Sequence, residues 1–170
     1  DAKPESAAKI FTLPAFDRIK TAYFLDLRLT DKQRRVVANN FYWLSTKADV
    51  LDYEAEVEPW EYYTPCRRYA DFTALNSLPT AEIGVKHSLE AAKEGGKVTV
   101  ELENQTDTIV FFVELLLTDG AGEPLVPVFW QDNFVSLLPH EERTVTGEFP
   151  GAVENPALIV RGWNIEERRY

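Results

Sequence analysis

From Thr80 onward the apolar residues recur at every second position in short runs, each bounded by glycine, proline, asparagine or aspartate. A period of two puts alternate side chains on one face of a pleated strand, whereas a helix needs a period near 3.6. In Lys97–Glu103, Val98, Val100 and Leu102 face one way and the polar residues between them face the other. The same reading gives strands over Glu82–Leu89, Thr108–Leu117, Leu125–Trp130, Arg143–Phe149 and Ala157–Asn164. Gly95-Gly96 supplies positive φ between strands, Asn104-Gln105-Thr106-Asp107 is polar, and Asp119-Gly120-Ala121-Gly122 is suited to close a hairpin. Roughly six or seven strands in about 90 residues is the count and spacing of an immunoglobulin-like or fibronectin-like β-sandwich. The Cys…Trp…Cys core of antibody domains is absent, so the likeness is architectural.

The first 45 residues carry fewer strands, over Lys9–Leu13, Lys20–Leu29 and Arg35–Ser45. In the second of these Tyr23, Leu25, Leu27 and Leu29 share one face, while Asp26, Arg28 and Thr30 share the other. Three strands present an apolar face that they cannot cover themselves. Such a segment packs on the second half, pairs with another chain, or closes a domain that begins upstream; the last is the preferred reading. Between Thr46 and Thr80 the alternation dissolves around Pro59, Pro65 and Pro79, over a length far beyond the ~4–6 residues of an ordinary connection. The expected chain is therefore all-β. Residues 1–45 are the closing strands of a preceding, truncated immunoglobulin-like domain, 46–68 are a linker, and 69–170 are a C-terminal immunoglobulin-like β-sandwich. With no initiator Met and no apolar signal core at its start, the sequence reads as a processed product or an excised fragment.

The 28 acidic residues outnumber the 18 basic ones, giving a net charge of -10. That balance disfavours phosphate contacts, hence nucleic acid, and an anionic membrane surface. The longest apolar run, Ile109–Leu117, is broken by Glu114 and is shorter than the ~20 residues of a membrane-spanning helix. Cys66 is the single cysteine, so neither an internal disulfide nor a thiolate cluster is available. His87 and His140 lack the spacing of metal ligands, and no metal or cofactor is expected. Asp132-Asn133, with Glu154-Asn155, offers oxygen ligands for calcium, but no EF-hand spacing is present, and Asp132 reads better as the cap of its own turn. Glycoside hydrolysis needs two carboxylates about 5–10 Å apart. Glu141/Glu142 and Glu166/Glu167 are adjacent on strands and point to opposite faces, so no catalytic residue is assigned.

The aromatic residues are the remaining candidates. Trp60, Tyr62 and Tyr63 lie in the irregular segment, and Trp130 stands at a strand end beside Asp132 and Asn133. One reading makes these six residues a carbohydrate-contacting platform, because flat rings stack on sugars. The preferred reading has Trp43, Trp130 and Trp163 filling the core while the linker aromatics seal a contact between domains.

Three stretches carry a family resemblance when taken in order. They are Asn40-Phe41-Tyr42-Trp43-Leu44-Ser45, then Ala70-Asp71-Phe72-Thr73-Ala74-Leu75 leading to Leu78-Pro79, then Trp130-Gln131-Asp132-Asn133-Phe134 with Leu137-Leu138-Pro139-His140-Glu141. Spanning roughly Lys20–Val145, they resemble the C-terminal region of glycoside hydrolase family 2 enzymes of the exo-β-D-glucosaminidase and β-mannosidase type, glycoprotein endo-β-mannosidases included. His140 stands where that family usually has glycine. The resemblance implies a retaining enzyme with a jelly-roll, a catalytic (β/α)8 barrel and several sandwich domains, exported to the periplasm or beyond. It places the catalytic glutamates in the barrel, and none of their surrounding motifs matches here. The implied role is a non-catalytic accessory domain whose partners are the barrel and neighbouring domains of the parent. A carbohydrate-binding module is the alternative, and an adhesion module with an open edge strand is a third class. The apolar face of the truncated N-terminal strands implies self-association.

Overall fold

Strands and one short 3-10 helix make up the regular structure of the computed structural model, which describes residues 4–14, 17–19 and 21–170. The chain divides into two units at the Ser77–Leu78 bond.

In the first unit, β1 (Ala22–Thr30) and β2 (Val36–Ser45) form an antiparallel hairpin with Ala22 opposite Ser45 and Leu29 opposite Ala38. Asp31 fixes the turn: one carboxylate oxygen accepts the N–H groups of Gln33 and Arg35 at 2.8 and 2.9 Å. Cross-strand register puts Tyr23, Leu25, Leu27, Leu29, Tyr42 and Leu44 on one face. The other face carries Phe24 and Phe41, ring centroids 5.6 Å apart, and Trp43, which packs on Phe72 at 5.3 Å. No residue of either strand is fully buried. Lys20, the first residue of one expected strand, lies outside the described residues. Lys9–Leu13 forms no strand: Ile10 and Phe11 are exposed, and no neighbouring strand offers that run a ladder of hydrogen bonds.

Residues 46–68 hold a short antiparallel pairing of β3 (Val50–Leu51) with β4 (Cys66–Arg68). Charged side chains brace it. The Arg67 guanidinium bridges Asp52 at 2.7 Å and Glu54 at 3.1 Å, and Asp49 accepts the Ala70 N–H at 2.7 Å. Asp71 then caps the 3-10 helix Thr73–Ser77 by accepting both the hydroxyl and the N–H of Thr73. The Thr73 hydroxyl, with Lys47 and the Thr73 N–H, holds the Asp71 carboxyl down to about 2.

The second unit contains β5 (Ile83–Ala92), β6 (Gly95–Asn104), β7 (Val110–Thr118), β8 (Phe129–Trp130), β9 (Val135–Leu137), β10 (Glu142–Pro150), β11 (Ala157–Gly162) and β12 (Ile165–Arg169). They pair into two antiparallel sheets, β5-β6-β10-β8 and β12-β11-β7-β9, as in an immunoglobulin-like sandwich. The alternation read in the sequence faces inward: Val98, Val100, Leu102 and Val145 from the first sheet meet Val113, Leu115, Leu117, Leu137, Leu158 and Val160 from the second. Strand β7 breaks the period at its start. Val110 and Phe111 are both buried, and a bulge at Phe112 (φ 58°) shifts the register against β9.

β5 runs on to Ala92 and β6 begins at Gly95, so Gly95-Gly96 open a strand and do not lie between strands; two other strands differ more from their expected extents. Of Leu125–Trp130 only β8 forms a strand; Pro127 has no N–H to donate, and upstream of it a lone bridge pairs Pro124 with Thr118 while the Leu125 N–H donates to the Leu117 carbonyl at 2.9 Å. The strand expected over Ala157–Asn164 ends at Gly162, and Trp163-Asn164 turns the chain into β12, which the sequence reading did not separate. Tryptophan placement also differs: Trp130 packs against the core, whereas Trp43 and Trp163 are 42% and 50% exposed.

Three asparagine side chains tie the loops to the sheets. The buried Asn104 amide donates to the carbonyls of Thr108, Leu137 and Leu138 at 2.8, 3.1 and 3.0 Å, and its oxygen accepts the Thr106 N–H. Asn164, also buried, accepts the Phe111 N–H at 2.9 Å and donates to Pro79 and Ile109 at 2.8 Å each. Asn133 accepts the Leu115 N–H at 2.8 Å and donates to the Leu115 carbonyl at 2.9 Å.

The turn before β10 contains a strained residue. Glu141 N–H donates to the Leu138 carbonyl at 3.1 Å, with Pro139 and His140 between them and His140 at φ 59°. That is the position of a type II turn which suits glycine. Its imidazole meets Asp107 only at the exposed surface, where such pairs contribute little. His140→Gly is therefore expected to raise stability by about 1 kcal/mol. A urea denaturation midpoint that stays the same or falls would contradict this.

Candidate functional site

The six candidate residues fall in both units. Trp60, Tyr62 and Tyr63 lie in the β3–β4 connection of the first unit and are 70%, 96% and 60% exposed. A turn from Glu58 to Glu61 holds this stretch, through a backbone bond of 2.8 Å and a side-chain bond of 2.9 Å. Trp130 ends β8, and Asp132 and Asn133 follow it in the β8–β9 connection of the second unit, where each has a local partner. The Trp130 ring lies over Gly147, its register partner on β10. Asp132 pairs with Arg143 and accepts the Asn133 N–H. Asn133 is occupied with both backbone groups of Leu115. His87 stands edge-on to Tyr170 with ring centroids 5.9 Å apart.

A second cluster of aromatics gathers on the outer face of the β12-β11-β7-β9 sheet. Phe112, Phe134 and Trp163 line a slot of about 220 Å³ with Glu114, Arg161 and Gly162. The Phe112 and Phe134 rings are 5.1 Å apart, and Trp163 meets Phe111 edge-on at 6.0 Å. Phe134 and Trp163 are both exposed. Both phenylalanines sit in left-handed backbone, Phe112 at φ 58° and Phe134 at φ 53°. Bulky residues rarely adopt that region, and strain of this kind gathers where side chains must be aimed. At the slot's edge the Arg161 guanidinium bonds Glu114 at 2.7 Å and approaches Glu167 at 3.8 Å. The Glu114 hydrogen bond, then its charge, raises the Arg161 pKa above its ordinary value.

Sequence reasoning missed this cluster. Phe112 is turned outward by a bulge that no alternation announces, and Glu114 and Arg161 are 47 positions apart. The one available signal was Glu114 itself, an acid inside an otherwise apolar run.

A polar concavity of about 500 Å³ covers the outer face of the other sheet, between Lys86, Glu101, Glu103, Gln105, Glu142 and Arg143. Glu103 and Glu142 stand opposite each other in register there. All three glutamates are exposed, which makes this a solvated sheet surface.

Comparison with known proteins gives a consistent picture. The family described as exo-β-D-glucosaminidase Ig-fold domain matches over residues 61–165. An exo-β-D-glucosaminidase of Amycolatopsis orientalis is 37% identical over 163 residues, covering 92% of this chain and 16% of the relative. One from Arthroderma benhamiae is 34% identical over 169 residues, covering 99% of this chain and 18% of the relative. Among solved structures, the exo-chitosanase of Amycolatopsis orientalis superposes with a TM-score of 0.84 at 34% identity, over 96% of this chain and 20% of that one. A point-substituted variant of that enzyme has been solved in complex with PNP-β-D-glucosamine. The chain thus spans no more than 20% of the length of these relatives.

Proposed function

The chain belongs to the exo-β-D-glucosaminidase Ig-fold domain family, within glycoside hydrolase family 2, and we propose that it serves, without chemistry of its own, a larger enzyme that removes terminal glucosamine from β-linked glucosamine polymers. The observation that carries this reading is the family match over residues 61–165 in a chain that answers to only 16–18% of two full-length relatives. The carboxylates on its open sheet face are solvated, as expected of a surface outside the reaction centre.

In this reading the sandwich packs against the parent's catalytic barrel, and hydrolysis there proceeds with retention. Residues 69–170 act as the C-terminal domain, 46–68 as the linker, and 1–45 contribute the closing strands of a preceding sandwich. The hairpin supports that division. None of its residues is fully buried, although six large apolar side chains share one face. A two-stranded ribbon with such a face needs a cover. Separated from the parent, the chain covers it by self-association.

The test compares hydrolysis of aryl β-glucosaminide and aryl β-mannoside by this chain and by the full-length parent. The expected outcome is a silent chain beside a parent that turns over the glucosaminide. Turnover by the chain alone would overturn the accessory reading, and a parent acting on the mannoside only would overturn the sugar.

A further inference from the structure

We propose that the open edge of β5 pairs with the same edge of a second copy of this chain, joining two four-stranded sheets into one of eight strands. Strand β5 is ten residues long, contains no proline and runs against β6 without a bulge. It is the outer strand of its sheet, with β6 on one side only. Edges of that length are ordinarily shortened, kinked or covered, because their unpaired backbone groups template another strand.

The register with β6 identifies the unpaired groups. Ala92 and Gly95 flank the two-residue turn Lys93-Glu94 and form a hydrogen-bonded pair. Alternation from there gives the backbone of Gly84, Lys86, Ser88 and Glu90 to β6 and turns the N–H and C=O groups of Val85, His87 and Leu89 outward. Bonds at the start of the strand keep the same alternation. The Glu82 carbonyl accepts the Gln105 N–H at 3.3 Å, whereas the Ala81 N–H leaves the sheet for the Asn164 carbonyl at 2.8 Å. Among the described residues no bond reaches the outward groups of Val85, His87 or Leu89. On β7 the side chain of Asn133 occupies the peptide of Leu115; nothing equivalent serves β5.

Charge selects a second copy as the occupant and sets its register. Outward groups must meet outward groups, so a two-fold axis passes through a residue and not between two. Through Lys86 it would set that ammonium against its own copy; through His87 or Leu89 it would set Ser88 against one charge. Through Ser88 it places Lys86 of each copy opposite Glu90 of the other, in the pairs whose side chains stand closest. Lys86 and Glu90 are both exposed, and neither has an ion-pair partner among the described residues. Their register neighbours on β6 are Glu101 and Lys97, so charge alternates across the joined sheet from Glu101 to Lys86, then Glu90 and Lys97 of the second copy. The same axis lays Leu89, half-buried at the margin of the core, beside His87 of the second copy. A two-fold contact consumes both β5 edges, and the far edge of the sheet, β8, has two residues, so this sheet grows no further. The surface lies on the second unit, apart from the hairpin face, and does not depend on the enzyme reading above.

The experiment follows amide hydrogen exchange and sedimentation of the 170-residue chain over a series of concentrations. The amides of Val85, His87 and Leu89 are expected to exchange freely in dilute solution and to become protected as the dimer forms. Those of Lys86, Ser88 and Glu90 stay protected throughout. Association through the hairpin leaves that alternation unchanged. Lys86→Glu and Glu90→Lys should each weaken dimerisation about thirtyfold, because each turns two attractions into two repulsions. An equimolar mixture of the two variants should restore it to within about threefold, since every charge pair in the mixed dimer is again opposite. His87→Pro removes an outward N–H that β6 does not use and should abolish the dimer while the monomer stays folded. Free exchange at Val85, His87 and Leu89 at every concentration, a dimer insensitive to Lys86→Glu, or a mixture no stronger than its components would overturn the proposal. So would protection of these amides in the dilute monomer, which marks an edge already covered within the chain.

Discussion

Replacing Asn164 with alanine is expected to destabilise the sandwich by about 4 kcal/mol, well above the typical cost of a point substitution. The side chain is buried and makes three hydrogen bonds, one from the Phe111 N–H and two to the carbonyls of Pro79 and Ile109. Truncation strands the Phe111 N–H and the Ile109 carbonyl, whose bonds are buried, at about 1–3 kcal/mol each, and also loses the part-buried bond to the Pro79 carbonyl. The bonds also reach 53 to 85 positions along the chain, tying the start of β5, the entry to β7 and the turn before β12 together. Urea denaturation gives the stability change, and hydrogen exchange at Phe111 gives its location. A loss below about 1 kcal/mol, or unchanged protection at Phe111, would show that the loops stand without the asparagine.

Gly96→Ala is expected to cost about 3 kcal/mol for a steric reason. A Cβ at Gly96 would lie 2.6 Å from the Glu90 carbonyl oxygen and would press still closer into the Phe149 ring. Neither neighbour yields easily. The carbonyl belongs to the paired strand β5, and Phe149 is itself part of the buried core. Gly84→Ala is the internal comparison, since its Cβ meets the mobile end of Gln105 at 3.0 Å and should cost little. Comparable denaturation midpoints for the two variants would refute the steric argument.

The parts of the fold legible in the sequence are those that one short-range rule controls. Val98, Val100 and Leu102 alternate because β6 has one face on the core, and Val145 behaves in the same way on β10. Strands β9 and β12 escaped notice because three and five residues are too few to establish a period, and β12 is polar along most of its length. Lys9–Leu13 had the right composition for a strand and lacked a neighbour, which no local pattern reveals. The exposed set Trp60, Tyr62 and Tyr63 was visible as candidates because proline and acid surround it. The slot was not, since it depends on a bulge at Phe112, a left-handed turn at Phe134 and an ion pair across two strands.

Asn133 gives the sandwich a property that reaches beyond its own stability. Past the short β9, strand β7 would present the peptide of Leu115 to any passing polypeptide. The Asn133 amide supplies one acceptor and one donor to that peptide, as the backbone of an adjoining strand would. One side chain thus counterfeits a missing strand and closes the border of the sheet at Leu115. While copies of the sandwich are still incompletely folded and crowd together, a sealed border keeps one copy from zipping to another.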